Sequence, residues 1–289
     1  MKAPAFAYTK PRSLEAVFDL MAEYGDEARL LAGGQTLLAT LNMRLSEPAL
    51  LIDLNGIDAL RGISVQGTVL RIGALATHSE IESSELVAAH APLLTMAAPH
   101  IAHRAIRNLG TWGGSIAYAD PAAEWPTCLA ALDGVVVVRG ARGERRIAAK
   151  DFFVDLYTTS LAEGELVAAC ELPLRQSSEV FAFDELARRR GDYAIAGLAL
   201  TAQLSPAGVH RVRLAFLGVG TTPVRARRTE AVLEDQVPTA ALIDQAIETL
   251  KGELNPLADL THSSATKRHL ACVLARRLVS NTLTATLAA

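Results

Sequence analysis

Residues 101–124, IAHRAIRNLGTWGGSIAYADPAAE, contain two adjacent glycines flanked by hydroxyl side chains. The glycines are Gly113 and Gly114, with Thr111 before them and Ser115 after them. Two successive glycines let a ligand approach the backbone because no Cβ is in the way. Successive backbone N–H groups can then surround an anion, with the two hydroxyls as further donors. The segment therefore predicts a loop that binds the diphosphate of a nucleotide cofactor.

Two acidic residues follow this glycine pair. Asp120 precedes Pro121 in a predicted turn, and Glu124 begins an apolar helical run. A carboxylate can accept hydrogen bonds from the hydroxyls of a ribose or ribityl chain. We therefore expect one of these two side chains to bind cofactor hydroxyls.

A second glycine pair lies 80 residues earlier, in Ala32-Gly33-Gly34-Gln35-Thr36. It follows an apolar strand-like run and precedes a helix-like run, residues 37–43. The start of a helix presents unpaired N–H groups and a positive dipole end to a phosphate. Either glycine pair alone would more often be an ordinary turn. Together they predict that one diphosphate is held from both sides.

The composition limits the class of protein. The chain has 289 residues, half of them hydrophobic, and a net charge of −3. This length suits two domains, and the charge gives no reason to expect a nucleic-acid partner. The N-terminal residues lack the apolar core of a signal peptide, and no long apolar run occurs, so we expect a cytoplasmic protein. The three cysteines are far apart, which predicts buried free thiols and neither an iron–sulfur cluster nor disulfides in this chain.

Hydrophobic periodicity predicts the elements that position these residues. A polar stretch at residues 175–178 separates two regions, so we place a boundary after residue 176. The first domain is 1–176, with subdomains of about 1–56 and 57–176. The second domain is 177–289. The predicted helices are 13–24, 77–90, 92–100, 229–233, 239–250 and 264–287, the last with an apolar face of Leu270, Val273, Leu274 and Leu278. The predicted strands are 50–54, 63–66, 69–73, 135–139, 145–148, 166–173, 180–187, 194–204 and 209–219.

Three motifs in this order resemble the FAD-binding medium subunit of molybdenum hydroxylases, such as carbon monoxide dehydrogenase and xanthine dehydrogenase. They are AGGQT at 32–36, IRNLGTWGGSIAYADPAAEWP at 106–126 and RRRGDYAIAG at 188–197. The resemblance extends over essentially the whole chain. It implies an α+β protein in which an α/β FAD-binding domain of the vanillyl-alcohol oxidase (p-cresol methylhydroxylase, PCMH) type precedes a C-terminal domain. That second domain would have a three-stranded antiparallel sheet and helices.

The resemblance also implies roles for individual residues around a non-covalent FAD. The two glycine segments would bind the diphosphate, Ile101 would pack against the flavin ring, and Asp120 or Glu124 would bind hydroxyls. Leu161 and Leu166 would line the flavin pocket, and Tyr193 would lie near the isoalloxazine. The full set of expected cofactor-binding residues is Leu31, Ala32, Gly33, Gly34, Gln35, Thr36, Ile101, Ile106, Thr111, Gly113, Gly114, Ser115, Ala119, Asp120, Glu124, Leu161, Leu166 and Tyr193.

The same resemblance implies partner subunits. A small subunit would carry two [2Fe–2S] clusters, and a large subunit would carry a molybdenum–molybdopterin cofactor. The assembly would be a heterohexamer formed by two heterotrimers. Electrons would pass from the clusters to FAD and then to an external acceptor.

One position departs from the resemblance. Many relatives have a lysine near the flavin in the segment that begins at Phe183, where this chain has Glu185. A cation there would stabilise the anionic reduced flavin, and a carboxylate would not. The sequence therefore predicts either a lower flavin potential or a compensating charge from Arg188, Arg189 or Arg190.

Several alternatives stay open. The chain could be a self-sufficient FAD oxidase of the same fold, or a scaffold subunit with a degenerate flavin site. His78 could attach a flavin covalently, although a helix-capping or surface role is the more common one. Trp112 and Trp125 could contact the adenine of the cofactor or a partner subunit, or simply pack the loop. His100 and His103 lack an evident third metal ligand, so we interpret them as surface histidines or as neighbours of the site.

Overall fold

The computed structural model describes residues 2–284, and its first part is a parallel sheet. The elements are β1 (Ala7–Thr9), α1 (Leu14–Tyr24), β2 (Ala28–Leu31), α2 (Leu37–Asn42) and β3 (Leu50–Asp53). The three strands are parallel, in the order β1-β3-β2. Helix α1 begins where the Ser13 hydroxyl accepts a hydrogen bond from the backbone N–H of Ala16, as predicted from its sequence. This cap satisfies one of the N–H groups that a helix start leaves free.

The second part is an antiparallel sheet covered by short helices. The elements are β4 (Ile63–Gln66), β5 (Val69–Gly73), α3 (His78–Ser83), α4 (Glu85–His90), α5 (Pro92–Ala97), α6 (Arg104–Arg107), α7 (Trp112–Tyr118), α8 (Glu124–Ala131), β6 (Val135–Gly140), β7 (Gly143–Ala148), α9 (Ala149–Phe152), β8 (Phe153–Asp155), β9 (Thr158–Thr159) and β10 (Glu165–Pro173). The sheet has the order β4-β5-β10-β6-β7, while β8 and β9 form a separate ribbon.

Strand β10 joins the two parts. Its residues 166–170 are all buried, which explains the uninterrupted apolar run in the sequence. Leu166 and Ala168 pack in the core of the parallel sheet, whereas Val167 and Cys170 pack in the core formed with the helices. Side chains alternate along a strand, and a register shift between Val167 and Ala169 lets Cys170 face the same core as Val167, so one strand serves both cores. The candidate site lies where these cores meet.

The helix predicted over residues 77–90 is wrong as a single element. It is two helices, α3 and α4, and Ser84 between them has an extended backbone. The Ser84 hydroxyl accepts a hydrogen bond from the N–H of Val87, so this residue caps the second helix. Both halves bury apolar residues, and for this reason periodicity alone did not reveal the break. Residues 98–100 form a 3₁₀ turn after α5.

The C-terminal part is a sheet covered on one face by helices. Its elements are β11 (Glu179–Leu186), β12 (Ala196–Ser205), β13 (Gly208–Leu217), β14 (Val224–Arg225), α10 (Arg227–Leu233), α11 (Ala240–Glu253) and α12 (Ser264–Leu283). The sheet is antiparallel, in the order β11-β12-β13-β14. The α+β class is confirmed, but the sheet has one strand more than predicted. Strand β14 has only two residues, which is too short to produce a hydrophobic period.

Helix α12 differs from its prediction in the composition of its buried face. Val273 was expected on that face, yet it is 48% exposed. The buried residues include Leu274 and Leu278, as expected, together with Ala271, Ala275 and Val279. Small alanines let the helix lie close to β11 and β12, whereas the prediction weighed only the larger side chains. Residues 285–287, the predicted end of this helix, lie outside the described residues.

The predicted boundary after residue 176 falls in the connection between β10 and β11. The boundary between the two domains and the limits of the two subdomains stay predictions. Within residues 2–284, no helix combines the length and apolar character needed to cross a membrane.

Candidate functional site

A cavity of about 620 Å³ lies between the parallel sheet, the antiparallel sheet and residues 191–193 from the C-terminal part. This volume is within the range of cofactor sites. Most of the predicted cofactor-binding residues line it. They are Ala32, Gly33, Gly34, Gln35, Thr36, Ile101, Ile106, Thr111, Gly113, Gly114, Ser115, Asp120, Glu124, Leu161, Leu166 and Tyr193.

Two of the predicted residues are absent from the wall of this cavity. Leu31 ends strand β2, and its side chain lies beside Gly34 and Leu38. Ala119 is 3% exposed and ends helix α7 in the left-handed conformation, with φ 54°. Both are adjacent in sequence to wall residues, and their cofactor-binding roles stay predictions.

The first glycine segment presents free backbone donors to the cavity. The N–H groups of Gly33, Gly34, Gln35 and Thr36 have no acceptor among residues 2–284. Gly34 has φ 70°, a backbone conformation that favours glycine. The segment is held from behind by Asn55, whose side-chain amide donates to the carbonyl of Ala32 at 2.9 Å. Four successive unpaired donors beside a cavity suit a diphosphate.

The second glycine segment differs from its prediction, because it is the first turn of helix α7 and not a loop. Its backbone donors already have partners within the protein. The N–H of Gly113 donates to the carbonyl of Ala74 at 2.8 Å, and that of Gly114 donates to the Thr111 hydroxyl at 3.2 Å. The N–H of Ser115 donates to the carbonyl of Thr111. The predicted concave arrangement of N–H groups is therefore confined to the first segment.

The glycines are also required for close packing of the backbone. A Cβ on Gly33 would lie 2.1 Å from the carbonyl oxygen of Leu109, and one on Gly113 would lie 2.4 Å from the Cβ of Ala74. We expected these glycines to leave room for a ligand. At both positions the space is filled by protein, so a larger residue would displace the chain itself. Gly114 is different, because its nearest neighbour would be the rotatable hydroxyl of Thr111.

An aromatic cluster supports helix α7 from below. Trp112 and Trp125 are fully buried, with ring centroids 5.2 Å apart. The indole N–H of Trp125 donates to Nδ1 of His78 at 2.9 Å. Burial, followed by the nearby charge of Arg107, lowers the pKa of His78 to about 4, so its ring is neutral at neutral pH. The expected capping or surface role of His78 is wrong, because the residue is buried and Thr77 caps helix α3.

Asp120 and Glu124 bring carboxyl groups to the cavity wall. Asp120 is buried and accepts a hydrogen bond from the N–H of Ala122 at 2.8 Å. Burial raises the pKa of Asp120 above its ordinary value. Glu124 stands at the first position of helix α8, where burial and then the charge of Asp120 raise its pKa to about 7. Both acids line the cavity, and the hydroxyl-binding role expected for one of them stays a prediction.

The remaining wall is largely apolar. Ile101, Ile106, Leu161 and Leu166 contribute to it, and all of them were predicted. Tyr193 stands at the edge and is 69% exposed, so the protein itself packs little against its ring. Wall residues outside the predicted set include Ala74, Leu75, His78, Tyr118, Glu165 and Asp192. Tyr118 and Asp192 lie within the quoted motifs. Ala74, Leu75 and Glu165 lie at or next to strand ends outside any motif, and only the fold brings them to the site.

Glu185 is absent from the cavity wall. Its side chain is 5% exposed and approaches Nδ1 of His100 at 3.8 Å. The side chains of Arg188 and Arg189 are 59% and 83% exposed, and both approach Asp192. Asp192 lines the cavity, so the two arginines lie near the cavity edge. Their positive charge there is opposed by the Asp192 carboxylate.

The described wall thus has the parts that FAD requires: unpaired N–H groups for a diphosphate, carboxyl groups for hydroxyls, and apolar side chains for a planar ring. The observation that decides the fit is the row of four N–H groups without a protein acceptor. The four residues are partly buried and lead into helix α2, where the first N–H groups have no intrahelical acceptor. A bound anion would satisfy them here.

Comparison with known families gives an independent result. Residues 4–175 match the family model described as the FAD binding domain in molybdopterin dehydrogenase. Residues 181–282 match the model of the CO dehydrogenase flavoprotein C-terminal domain. The two models together cover most of the chain.

Individual proteins resemble the chain over nearly its full length. The chain is 39% identical to the 6-hydroxypseudooxynicotine dehydrogenase complex subunit alpha of Paenarthrobacter nicotinovorans, over 93% of this chain and 90% of that protein. It is 32% identical to the carbon monoxide dehydrogenase medium chain of Hydrogenophaga pseudoflava, over 97% and 98%. A solved structure of carbon monoxide dehydrogenase from the latter organism superimposes with a TM-score of 0.95, at 34% identity and 99% coverage of both chains. The structure of quinoline 2-oxidoreductase from Pseudomonas putida 86 superimposes with a TM-score of 0.94, at 33% identity, and the match covers 99% of this chain and 100% of that chain.

Proposed function

Because this chain belongs to the family of FAD-binding medium subunits of molybdenum hydroxylases, we propose that it transfers electrons from a partner subunit to an external acceptor. The observation that supports this most directly is the cavity with unpaired N–H groups at Gly33, Gly34, Gln35 and Thr36. When bound there, FAD supplies a carrier that accepts and releases two electrons. The chain's own task is to hold and orient that carrier.

Each part of the wall has a task in this proposal. The backbone donors at 33–36 bind the diphosphate, with the Ser115 hydroxyl as a further donor from the opposite segment. Asp120 or Glu124 accepts hydrogen bonds from cofactor hydroxyls. Ile101, Leu161 and Leu166 exclude water from the ring system. Tyr193 is free to pack against the ring because the protein leaves its side chain largely exposed.

The electrons must come from outside this chain. Cys128, Cys170 and Cys272 are free and buried, and they lie in three different elements. We propose that a small subunit carries the [2Fe–2S] clusters and that a large subunit carries the molybdenum cofactor and the organic substrate site. Relatives named medium chain or medium subunit support such a division. We further propose a heterohexamer and a boundary between two domains after residue 176.

The test begins with the isolated chain, saturated with FAD under anaerobic conditions. We expect a flavin absorption spectrum that dithionite bleaches. We expect no bleaching by a panel of aldehydes, purines and N-heterocycles. Addition of the partner subunits should make one class of substrate bleach the flavin.

The three candidate functions give different results in this test. Rapid bleaching by an organic substrate without partners would replace the proposal by a self-sufficient oxidase. Failure of the chain to bind FAD at all would support the scaffold subunit. A chain that binds FAD but is not reduced even in the assembled complex would contradict the electron-transfer role.

A further inference from the structure

A further carboxyl, that of Glu185, lies outside the cavity wall. Glu185 belongs to strand β11, on the sheet face that packs against α5 and α8. Its Oε1 approaches Nδ1 of His100 at 3.8 Å, which is beyond hydrogen-bond distance. Its Oε2 is fully buried and has no hydrogen-bond partner among residues 2–284. A permanently ionised carboxylate is unfavourable in such a position.

The groups that face Glu185 do not neutralise it. Glu124 and Cys128 approach from α8, one helical turn apart, and the buried thiol lies near both carboxyls. Asp184, the neighbour on β11, is paired with Arg277 of α12. In the described structure, neither Glu124 nor Glu185 forms an ion pair with an arginine or a lysine. Two carboxyls therefore share one poorly solvated region.

Their protonation follows from this arrangement. Burial, then Glu124 and then Asp184, raise the pKa of Glu185 to about 8. Burial and then Asp120 raise that of Glu124 to about 7. A carboxyl with a raised pKa stays protonated until the pH exceeds that value. At neutral pH the two residues together retain about one proton, and they are best treated as one coupled unit.

We propose that Glu124 and Glu185 form an acid pair that stores a proton for the cavity and that His100 connects this pair to solvent. The inference rests on the proposed function, because it assigns the pair to a bound flavin. Two positions are given by geometry: Glu124 lines the cavity, and His100 adjoins Glu185, whose pKa responds to the charge of Glu124. The His100 side chain is 31% exposed, so it reaches solvent.

His100 is suited to pass protons on. Burial lowers the pKa of its ring, Asp184 opposes this effect, and Arg190 adds to it. The ring is therefore neutral at neutral pH, with one nitrogen that accepts and one that donates. Its edge contact with Phe183, at 5.2 Å between ring centroids, holds the ring beside Glu185.

The proton balance is simple. A flavin bound in the cavity would accept two electrons from an external reductant together with one proton. Glu124 would supply this proton, Glu185 would return one to Glu124, and solvent would restore Glu185 through His100. The net uptake would be one proton from solvent. Reduction also adds negative charge to the cavity, and this charge favours protonation of the pair.

The first test uses the chain without FAD. Infrared difference spectra between about pH 7 and about pH 10 should show the carbonyl band of a protonated buried carboxyl that disappears at high pH. Glu185→Gln should reduce this change to the part that Glu124 contributes. Glu179→Gln, the same substitution at the start of β11 and far from the cavity, should retain it. A band that persists unchanged in Glu185→Gln would overturn the acid pair.

The second test counts protons during reduction of the FAD-loaded chain, with a pH indicator in weak buffer near pH 8. Wild type and Glu179→Gln should take up more protons per two electrons than Glu185→Gln, because the intact pair gains additional protons. Equal counts would overturn the link to the flavin. If wild type bound no FAD, the proposed function would fail, while the infrared result would still decide whether the pair stores a proton.

The third test concerns His100. In His100→Gln the carbonyl band should remain, but deuterium exchange into it should slow by about tenfold or more, because a neutral relay is lost. An unchanged exchange rate would overturn the solvent connection through His100. A merely structural role for His100 would alter stability without this selective change in rate.

Discussion

The two glycine segments have similar sequences but use their backbones in opposite ways. In Ala32–Thr36 the N–H groups of residues 33–36 have no protein acceptor within residues 2–284. In Thr111–Ser115 the corresponding donors bind Ala74, Thr111 and the Thr111 hydroxyl. The first segment is free to bind an anion through its main chain. The second can contribute only side-chain groups and the position of helix α7.

This difference shows why a glycine pair alone does not define an anion site. Gly33 and Gly113 both permit close contact between protein backbones, and those contacts bring the two segments together. The first segment rests against Leu109, immediately before the second. The cavity therefore depends on the second segment for its shape and on the first for its unpaired donors.

The largest effect is expected for Gly33→Ala. The new Cβ would lie 2.1 Å from the carbonyl oxygen of Leu109, and backbone cannot rotate away as a side chain can. Overpacking of this kind costs about 1–3 kcal/mol. Because the movement separates the two segments, we expect FAD affinity to fall by about tenfold to a hundredfold. FAD titration followed by flavin fluorescence would measure this.

Gly114→Ala is the matched comparison. Its Cβ would meet the hydroxyl of Thr111 at 2.8 Å, and that hydroxyl can rotate. Loss of the helix cap is offset by the better helix propensity of alanine, at about 1 kcal/mol each. We therefore expect a much smaller loss of FAD affinity. Equal losses in the two variants would show that close packing is not what distinguishes the segments.

The next prediction concerns His78, which packs beside the second glycine segment, and its effect on the free energy of unfolding depends on pH. The pKa of His78 is lowered from 6.5 to about 4 in the folded chain, mainly by burial. The unfolded chain therefore binds the proton first as the pH falls. The stability that the neutral, buried His78 contributes is present above about pH 6.5 and is lost as the pH approaches 4. The expected loss is about 3 kcal/mol.

His78→Asn tests this assignment. An asparagine oxygen can accept the indole N–H of Trp125 in place of Nδ1, but it does not titrate. Urea unfolding should show that the wild-type chain loses more stability than the variant between about pH 7 and about pH 4.5. His269→Asn, exposed on α12, is the control and should follow wild type. A variant with the same pH dependence as wild type would contradict the role of His78.

The sequence was sufficient for the general architecture. The cap at Ser13, the apolar run of β10 and the hairpin of β4 and β5 follow from local patterns and are present as predicted. The break at Ser84 was missed because both flanking helices are amphipathic. Strand β14 was missed because two residues carry no period.

The site was predictable in its residues more than in its chemistry. The predicted residues make up about half of the cavity wall and include Ile101 and Tyr193. The motifs did not show which N–H groups are satisfied, because the acceptors of Gly113 and Gly114 depend on packing against Ala74 and on helix geometry. The burial of His78 and Glu185 likewise depends on which elements cover them. Such long-range effects have no local signal in the sequence.

The smallest expected effect distinguishes the two hydroxyls of the second segment. The Thr111 hydroxyl caps α7, so Thr111→Ala should lower the free energy of unfolding by about 1 kcal/mol. The Ser115 hydroxyl has no hydrogen-bond partner among residues 2–284 and lies on the cavity wall. Ser115→Ala should therefore leave stability unchanged or slightly higher, since alanine favours helix.

The effect of Ser115→Ala should appear in the affinity for FAD instead. Loss of one hydrogen bond to the cofactor costs about 0.5–1.5 kcal/mol, which corresponds to a fall in FAD affinity of about threefold to tenfold. Parallel urea unfolding and FAD titration of both variants would measure the two quantities. If Ser115→Ala bound FAD as tightly as wild type, the second segment would contribute shape alone, and the diphosphate would be held entirely by the backbone of residues 33–36.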